Sequence, residues 1–123
     1  MAKILLVKCH PEVISLVSSK SQFNVIAAAN YELAVKILEL NFPDTLPEVV
    51  VIGNFPREDS YKRTKRKKVS FAQSIKDRFH RFKIICIDGK MFPKKAPDIF
   101  DGVCEGTPEA VLEAIEKLLS PYR

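Results

Sequence analysis

Four side chains able to bind metal or act as thiols stand where the chain is expected to turn: Cys9, His10, Asp88 and Cys104. Thiolate, imidazole and carboxylate together make a ligand set suited to zinc. Each also has a plainer reading. Cys9 and Cys104 are small enough to be buried apolar residues, and His10, just before Pro11, can cap a helix. With Cys86 the chain holds three cysteines, an odd number with no CxxC or other paired spacing, so no disulfide framework is expected. His10 and His80 are the only histidines, and no Ser-His-Asp set can be assembled by spacing. The turn Gly53-Asn54-Phe55-Pro56 lacks the repeated glycines and the Lys-Ser/Thr ending of a phosphate-cradling loop. That counts against a flavin or nucleotide binder. No enzyme activity, cofactor or resident metal is expected.

The second chemical feature is charge. Lys62, Arg63, Lys65, Arg66, Lys67 and Lys68 crowd into KRTKRKK, between Tyr61 and Phe71. Residues 57–83 hold eleven Lys/Arg against three Asp/Glu, a net +8, while the remainder of the chain carries −3. A basic run of this kind can contact a nucleic-acid backbone. It can equally dock an acidic protein partner, or be a solvated segment that only aids solubility.

These residues need elements to position them. At 123 residues, 46% apolar and 28% charged, the chain is expected to form one globular domain spanning residues 1–123. No apolar run nears the ~20 residues that span a bilayer. The run Ile4 to Val7 is too short for a signal peptide, so a cytoplasmic protein with no membrane contact is expected. Lys3–Lys8, Phe23–Ala28, Val49–Ile52, Lys83–Ile87 and Phe100–Cys104 read as strands, several of them uniformly apolar. Helices are expected from His10-Pro11, from Asn30 as N-cap, through Phe71, Ala72, Ile75, Phe79 and Phe82, and from Thr107-Pro108-Glu109. Residues 90–99 contain two prolines and no helical pattern. Strands alternating with helices imply a parallel sheet covered on both faces, a three-layer α/β/α fold with strand order 2-1-3-4-5.

Joint order and spacing carry a resemblance. KILLVKCHP, NYELAVKILEL, PEVVVIGNFP, KIICIDG and TPEAVLEAIEKLL together resemble the receiver domain of bacterial response regulators, a CheY-like, flavodoxin-like fold of two-component systems. The resemblance implies an acidic pair after the first strand to bind a divalent metal; Cys9 and His10 stand there. It implies a phosphate-accepting aspartate at the end of the third strand; Ile52 or Gly53 stands there. Asp88 takes the place of a Thr or Ser after the fourth strand, and Cys104 to Thr107 contains no lysine. Neither Ile nor Gly offers a nucleophile, so the expectation is a degenerate pocket at Cys9, His10, Ile52, Gly53 and Asp88. The family's fourth helix is expected to be degenerate or missing. The basic run is expected as an insertion at about 57–68, either a loop or a forward extension of the third helix. The function expected is a non-catalytic signalling or adaptor module that acts through protein contacts without phosphorylation. The alternative is a nucleic-acid-binding protein using residues 62–68.

Overall fold

A computed structural model describes residues 2–41, 45–56, 60–87 and 98–119. Five strands, β1 (Ala2–Val7), β2 (Phe23–Ala28), β3 (Val49–Ile52), β4 (Lys83–Ile87) and β5 (Gly102–Cys104), form one sheet in the order β2-β1-β3-β4-β5. All neighbours are parallel, as the apolar runs require. Helices α1 (Pro11–Ser18), α2 (Tyr31–Asn41), α3 (Tyr61–Phe79) and α4 (Pro108–Leu119) connect or follow the strands.

The sheet separates two cores. Leu5, Val7, Val50, Ile52, Ile84 and Cys86 face α2 and α3, meeting Ala34, Leu38, Phe71, Ala72, Ile75 and Phe79. Their alternates Ile4, Leu6, Val49, Val51, Ile85 and Ile87 face α1 and α4, meeting Val13, Val17, Val111 and Ile115. Period-two alternation thus feeds both layers. Each fully buried branched side chain stabilises the fold by about 1.5–3 kcal/mol relative to exposure. No helix among the described residues is long and apolar enough to cross a membrane.

Local signals set the helix starts. His10 Nδ1 accepts from the Glu12 amide at 3.1 Å, Asn30 Oδ1 from Leu33 at 2.8 Å, and Thr107 Oγ1 from Ala110 at 3.3 Å. Ser60, which the sequence reading passes over, caps α3 by accepting from Arg63 at 3.2 Å.

Of the two alternatives for the basic run, the forward extension of the helix holds: Lys62 to Lys68 form the opening turns of α3, because Ser60 starts the helix there. Three expectations are adjusted. The helix expected through Phe82 ends at Phe79, because His80 takes the left-handed region with φ 63° and closes it. Lys8 lies outside β1 because its φ of 53° takes the chain out of extended geometry. β5 begins at Gly102 rather than Phe100. Asp101 is turned so that its carboxylate Oδ2 accepts from the Ile84 amide at 2.8 Å and from Lys76 Nζ at 3.0 Å. The expected loss of a fourth helix between β4 and β5 concerns residues 88–97, outside the described residues.

Candidate functional site

β1 lies between β2 and β3, so the chain crosses over in opposite directions on either side of it. Such a switch point opens a crevice at the carboxyl ends of the strands. Here the crevice is a cleft of about 480 Å³ lined by Lys8, Cys9 and His10 after β1, Gly53, Asn54 and Phe55 after β3, Ile87 of β4, and Gly106 to Pro108 ahead of α4.

Backbone bonds hold the first two loops together. Lys8 sits in the left-handed region, a costly conformation for a residue with a Cβ. Its amide donates to Ala28 O at 2.9 Å, and its carbonyl accepts from Phe55 N at 2.8 Å. The Gly53 amide donates to Val7 O at 2.7 Å. Gly53 therefore lies flush against the Lys8 carbonyl, and a Cβ there would collide with that oxygen. Glycine is required by close backbone approach rather than by an unusual φ. One residue earlier, Ile52 is fully buried, its side chain in the α2/α3 core. Position 53 has no room for a side chain, and position 52 points away from the cleft.

Cys9 lies under the cleft, 5% exposed, with weak Sγ contacts to Val7 O and Val51 O at 3.7 and 3.9 Å. Burial pushes its thiol up to about 12, against the opposing pull of the Lys68 ammonium. His10 caps α1 at the rim and meets the Phe55 ring edge-on at 4.8 Å. Cys104 pairs in register with Ile87 on the edge strand, half-buried. Desolvation likewise raises its thiol, to about 11. The structure brings Cys9 and His10 to the cleft, with Cys104 one strand beyond; Asp88 lies outside the described residues. Among the described residues no three His, Cys, Asp or Glu side chains group closely enough to share a metal ion.

The residue that sequence reasoning misplaced is Lys68. Sequence alone groups it with the basic run, yet it is fully buried. Its Nζ donates to Ile87 O at 2.5 Å, and its charge is felt by both Cys9 and Cys104. A lysine from α3 thus delivers a cation to the strand tips. The signal was available: Lys68 is four residues before Ala72 and seven before Ile75, so it falls on the helix's inward face. Thr64, four residues earlier, is buried as well, its hydroxyl donating to Ser60 O at 2.9 Å. Lys62, Arg63, Arg66 and Lys67 are exposed, and Lys65 is half-buried.

Magnesium asks for octahedral oxygen ligands. The described residues do not fit it. Cys9 is a protonated thiol, the His10 Nδ1 is committed to a cap, and Gly53 has no side chain. Glu12 alone brings a carboxylate to the described cleft lining, from an exposed helical turn.

No family model and no curated protein matches the chain. Solved structures do. The chain is similar to the signal receiver domain of an HD domain-containing protein from Pseudomonas fluorescens Pf-5, with TM-score 0.67 and 15% identity, covering 98% of this chain and 95% of that one. It is similar to a chain in the complex of histidine kinase ThkA with response regulator protein TrrA, with TM-score 0.63 and 20% identity over 98% and 100% of the two chains. A third likeness is to the isolated REC domain of RcsB from Salmonella enterica serovar Typhimurium, with TM-score 0.59 and 15% identity over 97% and 88%. At these identities the likeness establishes the fold, a CheY-like, flavodoxin-like receiver scaffold with sheet order 2-1-3-4-5.

Proposed function

We propose that the chain is a single receiver-like unit serving as a signalling or adaptor module, which works by protein-protein contact without aspartyl phosphorylation or other catalysis. One observation carries this reading. At the tip of β3, where phosphoryl chemistry on this scaffold would need a carboxylate, Ile52 is buried in the core and Gly53 is closed against the Lys8 carbonyl. The neighbouring charge supports it further: Lys68 ends at the Ile87 carbonyl and its positive charge is felt at Cys9, so a divalent cation beside Cys9 would meet repulsion. Fold alone does not decide function; the strand tips favour a scaffold that is used for its surfaces. Three free cysteines suit a reducing, cytoplasmic setting.

Incubation with a small acyl phosphate and Mg²⁺ tests the reading. No acid-labile phosphate should appear on the wild-type chain, and its thermal unfolding should not shift with Mg²⁺. Gly53→Asp should stay unphosphorylated too, with lowered stability, because overpacking against backbone costs about 1–3 kcal/mol. Stoichiometric, hydroxylamine-sensitive phosphate on the wild type would overturn the proposal.

A further inference from the structure

We propose that the exposed crest of the first half of α3 binds the phosphate backbone of double-stranded nucleic acid through Lys62, Arg63, Arg66 and Lys67. This goes beyond the reading of the strand tips and does not depend on it.

Helical phase sorts the basic run. Lys68 turns inward with Thr64, Phe71, Ala72 and Ile75, and all five are buried. Lys62 and Arg66 form one i,i+4 row on the outer side, and Arg63 and Lys67 form a second; all four are exposed. Each row spans about 6 Å along the helix axis. A duplex carries one charge about every 1.7 Å of its axis, so such an array meets several phosphates together. The crest continues through Ser70, Gln73 and Ser74, polar and exposed side chains of the kind that add phosphate hydrogen bonds.

What the crest lacks selects the partner. Protein interfaces centre on buried aromatic or aliphatic anchors, and single-stranded nucleic acid is held by stacking on aromatic rings. Among the described residues the large exposed hydrophobics are Leu33, Leu40, Phe55 and Val103, and none lies on α3. Among the described side chains the crest is a surface of cations, hydroxyls and an amide, which fits a duplex backbone.

The energetics of the helix point the same way. The helix dipole favours acids in the first turn and bases in the last. α3 has no acid in its first turn, where Lys62 and Arg63 stand. Like charges at i,i+3 and i,i+4 add repulsion. Glu58 and Asp59 precede the cap, yet residues 57–68 still carry a net +5. By the dipole alone, Lys62 and Arg63 stand at the less favourable end of the helix, and their exposure leaves them open to a polyanion. The molecule is also polarised: exposed Glu109, Glu113 and Glu116 lie on α4, across the sheet, so α3 would face the duplex.

Fluorescence anisotropy with a labelled duplex of about 20 base pairs, titrated with the full chain at several salt concentrations, tests the proposal. With four contacts, log affinity should fall against log salt with a slope of about −3 to −4. Lys62→Gln/Arg66→Gln should flatten the slope by about 2 and weaken binding about tenfold or more in low salt. Its urea midpoint should be equal to or above that of the wild type, which separates lost binding from lost fold. Lys117→Gln on α4 should bind as the wild type does. The proposal is overturned by wild type that fails to bind at low salt, or by an unchanged slope in the double variant. It is also overturned if the chain binds single-stranded oligonucleotide more tightly than duplex, or poly-glutamate as tightly.

Discussion

At Lys68 an ammonium group is carried inward on a four-carbon stem and ends against the Ile87 carbonyl. Around it, two thiols are held protonated by burial, Cys9 at about 12 and Cys104 at about 11. Both consequences can be measured. The thiolate is the reactive form, so Cys9 and Cys104 should react with an aromatic disulfide reagent at pH 8 at least about tenfold more slowly folded than in urea. Peptide mapping of the labelled chain would report this site by site, and fast labelling of Cys9 in the folded chain would contradict its burial. The pH dependence has a definite sign. An unfolded thiol releases its proton near 9, whereas folded Cys9 keeps its own to about 12. Between those values the unfolded chain holds fewer protons, so alkali favours unfolding. The thiols' contribution to stability is full below pH 9 and is lost as pH rises through 11 to 12. Urea midpoints measured across that range should fall, and Cys9→Ala should make the fall shallower.

Among the elements, α3 combines opposite demands: an inward face that belongs to the core and an outward face that opposes its own dipole. Lys62→Glu reverses the charge at the start of the helix and should raise stability by about 0.3–1 kcal/mol, read as an increase in urea midpoint at low salt. An unchanged midpoint would mean that the crest charges do not strain the helix. The elements also show how far sequence carries. β2, β3 and β4 match their expected bounds, because each is a short apolar run between turn residues. The caps at His10, Asn30 and Thr107 form as their residue types predict. Two things were harder to read. The start of α3 depends on Ser60, whose capping role shows only once the basic run is given a helical phase. The start of β5 depends on Asp101, whose side chain takes a ladder amide from Ile84 through a tertiary contact that local pattern does not encode. The closed packing at Gly53 is of the same kind: it is written in the Lys8 backbone, forty-five residues away in sequence.

Across the whole molecule, charge is concentrated in one segment. Residues 57–83, most of which build α3, carry +8, and the remainder carries −3. Net charge alone would treat all lysines alike, but a charged surface engages only the patch turned towards it. Lys62→Glu/Arg66→Glu should therefore elute from a cation exchanger at clearly lower salt than Lys20→Glu/Lys117→Glu, although both pairs change net charge by the same amount. Coincident elution would mean that the basic crest does not act as a patch. The receiver scaffold itself is compatible with either use of its surfaces, since strand order and layers are set by apolar residues that take no part in either.

The contact between Gly53 and the Lys8 carbonyl also bears on substitution. A space filled by a side chain can be opened by exchanging that side chain. Here the main chain of one loop fills the volume that a side chain at position 53 would occupy, and Lys8 is bonded on both sides in the conformation that puts it there. No side chain fits at position 53 unless the β1–α1 turn is rebuilt first. The Lys8 backbone, rather than any side chain, decides what this strand tip can carry.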